Sequence, residues 1–136
     1  MDAMSLRNER DEEYDGLTRS IWECALKVHR NLGPGLLENT YEQCLMYELM
    51  KRGICVEHQK ALPLIYDEVK LDAGYRIDLL IENKIILELK SVEALTEVHQ
   101  AQILTYLKLS DCKLGFLINF NVALLKTGFK RFVNHY

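Results

Sequence analysis

The order of elements written into this chain predicts an α/β fold, a sandwich with a central mixed β-sheet flanked by helices. Three observations carry that prediction. Leu17, Ile21, Ala25 and Val28 recur at helical spacing near the start. Two short runs, Tyr75–Ile81 and Ile85–Lys90, are rich in Ile, Leu and Tyr and are separated only by Glu82-Asn83-Lys84, the pattern of paired strands. Leu114–Asn119 is an almost continuous apolar run, which suits a strand buried on both faces. The whole reads helix, helix, three strands, helix, strand, strand.

Length and composition bound the rest. The 136 residues suffice for one domain with a real core and are too few for two ordinary ones. At 49% apolar and 27% charged residues the composition is globular rather than disordered. No apolar run approaches the length of a membrane span and no secretory signal opens the chain, so a soluble, cytoplasmic protein without a membrane partner is expected. Cys24, Cys44, Cys55 and Cys112 are widely spaced, with no CxxC and no histidine cluster beside them. Buried free thiols are expected, not zinc or disulfides. The net charge of −3 is uneven: residues 1–15 hold six acids (Asp2, Glu9, Asp11, Glu12, Glu13, Asp15) and two arginines, leaving the remainder at +1. A near-neutral domain can bind phosphate only through a local patch or a metal.

Taken in order, residues 1–14 read as an acidic, flexible tail and residues 15–136 as a single domain. A helix is expected from about Asp15 to Asn31, closed by Leu32-Gly33-Pro34-Gly35. That Gly-Pro-Gly is a stop and a turn, with too few glycines to cradle a phosphate. A second helix should run from about Leu36 to Arg52, with Glu38, Tyr41, Glu42 and Leu45 on one side. Taken alone, Glu38 is explained by its place in the first turn, where a carboxylate suits the helix dipole. Cys55 to Asp72 reads as a β-hairpin with Asp67-Glu68 as its turn and Pro63 marking an edge or bulge. A third helix is expected from about Glu97 to Leu109, with His99, Gln102 and Tyr106 stacked on one face. That stripe is either a wet face or the wall of a polar cleft. After Leu114–Asn119 come a short helical turn near Val122–Leu125 and a last strand, Gly128–Val133. Lys126, Lys130 and Arg131 make a basic group there, either plain surface or a phosphate-backbone contact.

The strand pair at Tyr75–Ser91 is where chemistry would sit. If all three residues Glu82-Asn83-Lys84 form the loop, Ile81 faces Ile85, Leu79 faces Leu87 and Ile77 faces Leu89, giving one wholly apolar face. A two-residue loop would scatter the charges over both faces, so the apolar face selects the longer loop. The other face then sets Asp78 opposite Glu88 and Arg76 opposite Lys90. Opposed β-carbons lie about 4.5–5.5 Å apart, and two carboxylates held so close repel. The set is either a solvated charge ladder or an oxygen-ligand site for Mg²⁺ or Mn²⁺.

Three pieces line up along the chain: Gly35-Leu-Leu-Glu38-Asn-Thr-Tyr41, then Asp78 with Glu88-Leu89-Lys90, then Gln102-Ile-Leu-Thr-Tyr106. Together they resemble the GxxExxY proteins, a group within the PD-(D/E)XK nuclease-like superfamily. The resemblance spans Leu17 to Val133 and includes Leu117-Ile118-Asn119-Phe120. It implies a restriction-endonuclease-like fold in which Asp78 and Glu88 bind metal, with the Leu89 backbone carbonyl as a further ligand. Lys90 would position the attacking water and stabilise charge on the phosphate. Glu38 would be the additional acid from an early helix, above the metal. Tyr41 completes the first motif and would support the site. Gln102 and Tyr106 match the QxxxY helix of the RecB-like branch, where it lines the active site. Ile77 rather than proline precedes Asp78, at a position that varies widely in the superfamily.

Two functions follow from this reading. One is a metal-dependent nuclease acting on nucleic acid, DNA before RNA, with Mg²⁺ or Mn²⁺ as cofactor. Small nucleases of this kind often act as homodimers, although nothing in the periodicity marks a dimer surface. The other is a catalytically inactive module of the same fold that binds nucleic acid or protein.

Overall fold

The computed structural model describes residues 9–134. Helix α1 (Glu9–Leu32) and helix α2 (Glu38–Lys51) are followed by strands β1 (Val56–Ala61), β2 (Leu64–Tyr66), β3 (Val69–Leu71), β4 (Arg76–Ile81) and β5 (Ile85–Lys90). Then come helix α3 (Glu97–Ser110), strand β6 (Leu114–Asn119), a 3₁₀ turn (Leu125–Thr127) and strand β7 (Phe129–Val133). The five-stranded sheet has the order β1-β4-β5-β6-β7, and only the β5–β6 pair is parallel. This is the expected mixed α/β sandwich, consistent with a restriction-endonuclease-like fold. The parallel pair requires a crossover, and α3 provides it.

Each face of the sheet carries its own apolar layer. Leu79, Ile81, Ile85, Leu87, Leu89, Phe116 and Ile118 pack against Ile21, Ala25 and Val28 of α1 and Tyr41, Leu45 and Leu49 of α2. Leu80, Ile86 and Leu117 pack against Ile103, Tyr106 and Leu107 of α3. Every residue of β6 is buried, as a strand covered on both faces should be. Close approach of α3 to β6 depends on Gly115, where a β-carbon would lie 3.1 Å from Ile103 Cδ1.

The expected boundaries need three corrections. Helix α1 begins at Glu9, not near Asp15, so part of the acidic lead-in is helical. Acids in the first turns of a helix are favoured by its dipole, and Glu13 is further fixed by an ion pair with Lys84. Residues 1–8 of the expected tail lie outside the described residues. The expected hairpin over Cys55–Asp72 is two separate things. Strand β1 is an edge strand of the main sheet, while β2 and β3 make a two-stranded sheet of their own. Pro63 falls between them, where it has no ladder bond to supply, and Asp67 in a left-handed conformation (φ 58°) turns the hairpin. Lastly, the four cysteines are free, but only Cys24 and Cys112 are buried; Cys44 is half-buried and Cys55 exposed.

The α1–α2 connection is built as a turn. Gly33 (φ 68°) and Gly35 (φ 99°) take the left-handed backbone that glycine adopts without penalty. Tyr41 closes it: its hydroxyl donates to the Gly33 carbonyl at 2.6 Å and accepts from the Leu36 N–H at 3.1 Å. The Tyr41 ring stacks on Phe120 with centroids 4.6 Å apart. Helix α3 opens on a capping box in which Thr96 accepts from the His99 N–H and His99 Nδ1 accepts from the Thr96 N–H. His99 therefore serves the helix end rather than the stripe it shares with Gln102 and Tyr106 in the sequence.

Gly128 packs so tightly on the end of β6 that a β-carbon there would collide with the Asn119 carbonyl oxygen. Gly128→Ala should cost about 1–3 kcal/mol, the range for overpacking, measured by urea denaturation. Gly16→Ala, in the exposed middle of α1 with open space around it, should instead stabilise by up to about 1 kcal/mol.

Candidate active site

The hairpin that presents the candidate residues folds as the longer-loop register requires. Ile81 pairs with Ile85, Leu80 with Ile86 and Leu79 with Leu87. Glu82 (φ 50°) and Asn83 (φ 57°) take successive left-handed conformations, and the Lys84 N–H donates to the Ile81 carbonyl at 2.9 Å. These are the features of a type I′ turn, with Lys84 as the extra residue before pairing resumes.

The ladder then stops short of the charged residues. The next pairs would be Asp78 with Glu88 and Ile77 with Leu89, yet the β4–β5 register ends at Leu79–Leu87. The Leu89 N–H donates instead to Asp78 Oδ2 at 2.8 Å. On the other side of β4, Ile77 pairs with Lys60 and Leu79 with His58, while Asp78 is passed over. Gln59, opposite it, is held at φ 52°. Alternation along β4 breaks at this point. Leu79 and Ile81 face α1 and α2, but Ile77 packs on the α3 side. The wholly apolar face predicted for Ile77, Leu79 and Ile81 therefore loses Ile77. A side chain that takes over a backbone bond unseats the period of two around it.

The two carboxyls nonetheless meet. Glu88 is 3% exposed, and its Oε1 is buried without a hydrogen-bond partner. Burial, then the charge and hydrogen bonding of Asp78, push the Glu88 carboxyl up to about 10, against a downward pull from the Lys90 ammonium. Lys90 thus stands beside Glu88, half-buried at the strand end. The Tyr106 hydroxyl is raised by burial and by the nearby Glu88 charge, and it accepts a hydrogen bond from Gln102 Nε2 at 3.3 Å. The expected stripe of Gln102 and Tyr106 therefore looks into a polar cleft rather than out to solvent.

The early-helix acid beside Asp78 is Glu42, one turn after Glu38. Glu42 is 5% exposed. Its Oε1 accepts from His58 Nε2 and from Gln59 Nε2, each at 2.6 Å. The same Gln59 amide nitrogen lies 3.3 Å from Asp78 Oδ1, so one donor bridges two carboxylates. Burial raises the Glu42 carboxyl first and the Asp78 charge adds to it, while the Gln59 and His58 bonds lower it. Glu38 is exposed, and its side chain makes no hydrogen bond or ion pair to another described residue. Tyr41, fully buried, is spent on the α1–α2 turn. Lys126, Lys130 and Arg131 are exposed at the far sheet edge.

Sequence reasoning passed over Glu42, His58 and Gln59. Glu42 had a usable signal, an acid between Tyr41 and Leu45 on the stripe that faces the core. Gln59 had none, because its left-handed backbone is imposed by the strands around it.

Against known proteins, one family matches. The family model described as PD-(D/E)XK nuclease superfamily covers residues 15–132. The chain belongs to this superfamily. No curated protein and no solved structure matches.

Within a PD-(D/E)XK chain, an acid pair followed by lysine invites a test of whether a cation fits. Among the described residues, no three His, Cys, Asp or Glu side chains form a group able to hold an ion, so the expected convergence of three acids is not a preformed cage. The orphaned Glu88 oxygen does fit one. A buried, unpartnered carboxylate oxygen beside a second carboxylate is costly unless a proton or a cation answers it. Mg²⁺ in particular is commonly held by one or two carboxylates, with water and substrate phosphate completing its shell. No helix among the described residues is long and apolar enough to cross a membrane.

The Glu88 shift has a stability consequence with a definite sign. Its folded pKa, about 10, lies above the ordinary 4.5, so folding favours the neutral acid. Its contribution is whole below about pH 4.5 and is lost as pH rises toward 10. In metal-free protein at about pH 8, Glu88→Gln should raise the thermal midpoint by several degrees and flatten its decline with rising pH, as read by calorimetry.

Proposed function

We propose that this chain is a metal-dependent nuclease that hydrolyses phosphodiester bonds of nucleic acid, DNA in the first instance, with Mg²⁺ or Mn²⁺ as cofactor. The observation that carries the reading is the orphaned Glu88 oxygen beside Asp78, with the Lys90 ammonium close enough to act on Glu88. Superfamily membership supports it. On Gly35, Glu38 and Tyr41 we assign the chain to the GxxExxY group, and on Gln102 and Tyr106 to the RecB-like branch.

Asp78 and Glu88 are the proposed metal ligands. Leu89, whose N–H already donates to Asp78, is the proposed source of a further ligand through its backbone carbonyl. A bound cation would supply Lewis acidity and lower the pKa of the attacking water. Lys90 contributes a fixed positive charge where negative charge develops on the phosphate. Glu42, oriented by His58 and Gln59, takes the part that Glu38 holds by motif: a third carboxylate close enough to bias the water or the ligand shell. Gln102 and Tyr106 wall the cleft beside Glu88.

Mn²⁺ titrated calorimetrically at about pH 7.5 should release about one proton per ion, seen as a dependence of the heat on the buffer's ionisation enthalpy. Asp78→Ala should abolish that heat. Cleavage of single-stranded DNA, duplex DNA and RNA should be tested with metal and with chelator, and should fall by roughly a hundredfold or more in Lys90→Ala and Glu42→Ala. Absence of both metal heat and cleavage would leave the inactive nuclease-fold module as the function.

A further inference from the structure

A cavity lies beside the acid pair, with Tyr106 between them. It has a volume of about 180 Å³ and is lined by Leu64, Tyr75, Gln102, Thr105, Tyr106 and Leu109. Tyr106 belongs to both places, since its hydroxyl feels the Glu88 and Asp78 charges. Tyr75 immediately precedes β4, three residues before Asp78, and is 43% exposed. The two tyrosine rings meet edge to face, with centroids 6.2 Å apart and planes inclined by 61°.

We propose that this cavity receives one unpaired nucleobase of a single-stranded nucleic acid whose phosphate lies at the acid pair. The inference rests on the nuclease reading and adds the kind of strand the site takes. Size is the first argument. The cavity is smaller than the roughly 300 Å³ from which pockets enclose a whole drug-sized ligand, and it suits a single planar ring. Composition is the second. Two tyrosines offer a stacking face and an edge, and Leu64 and Leu109 close the apolar ends; stacking on aromatic side chains is how proteins hold unpaired bases of any sequence. The third is one polar atom. Gln102 spends its Nε2 on Tyr106, and among the described residues nothing donates to its Oε1. That carbonyl can accept from the N–H groups that every base carries on its pairing edge. A base stacked inside a duplex cannot reach such a pocket, whereas one in a single strand or flipped out of a helix can. Leu64 lies on the β2–β3 hairpin, on which Ile65, Tyr66 and Val69 are exposed.

The test is binding rather than turnover. Fluorescence anisotropy would compare a labelled single-stranded DNA oligonucleotide, a strand of equal length made wholly of abasic residues, and the duplex, all in Ca²⁺ buffer to supply a hard cation. The base-bearing strand should bind roughly tenfold or more tightly than the abasic strand, the worth of about one stacked base. Tyr75→Ala should bring it down to the abasic level without changing abasic binding, and Tyr75→Phe should restore the difference, because a ring is needed and not its hydroxyl. Tyr75 is exposed enough for both variants to fold, which thermal melting checks. Equal affinity for base-bearing and abasic strands, preference for the duplex, or no binding would overturn the proposal. Mn²⁺ heat lost in Asp78→Ala reports on the nuclease reading separately.

Discussion

A single hydrogen bond organises the site. Where the sheet would join β4 to β5 by backbone, the Leu89 N–H goes to the Asp78 carboxylate; the β4–β5 ladder ends there, and the β1–β4 ladder skips Asp78 and resumes at Ile77. A backbone N–H in a buried strand needs a partner, so the side chain satisfies the sheet while interrupting it. The consequence is geometric. The Asp78 carboxylate is fixed at 2.8 Å from the Leu89 nitrogen, beside the Glu88 carboxyl, so the Glu88–Leu89 peptide presents its N–H to the acid pair.

The arrangement stores an electrostatic cost. Glu88 is almost wholly buried and leaves one oxygen without a partner, and Glu42, also buried, adds a third carboxyl within electrostatic reach of Asp78. Burying like-charged acids together costs free energy unless they bind a proton or a cation. The apolar layers on either side of the sheet carry that cost. Leu79, Leu87, Leu89, Phe116 and Ile118 on one face and Leu80, Ile86 and Leu117 on the other hold the strands in place whatever the acids do.

The loops next to the site are pinned as firmly as the strands. Ser91 Oγ donates to the Leu36 carbonyl at 2.5 Å, tying the end of β5 to the start of α2. Buried Asn119 accepts from the Val92 N–H at 3.1 Å and donates to the Val92 carbonyl at 3.0 Å, which fixes the chain just past Lys90. With Tyr41 holding the α1–α2 turn, two of the residues most conspicuous in the sequence, Gly35 and Tyr41, support the backbone that carries α2. The acid they position beside Asp78 is the buried Glu42.

By itself the sequence determined the class of fold, because hydrophobic period is a local property: 3.6 along α1, near-continuous apolarity in β6, and a hairpin whose loop length followed from keeping one face apolar. It also pointed to Asp78 and Glu88 as neighbours across one hairpin, although the register that suggested this stops at Leu79–Leu87 and the bond from the Leu89 N–H to Asp78 takes over from there. Only the tertiary structure decided which helix acid joins them. Glu38 and Glu42 lie one turn apart on the same stripe, and the choice came from the packing of α2 on β1, where His58 and Gln59 reach Glu42. It likewise decided that β1 leaves its own hairpin to pair with β4, and that Ile77 crosses to the other face. These outcomes depend on contacts between segments far apart in the chain, and a local period carries no information about them.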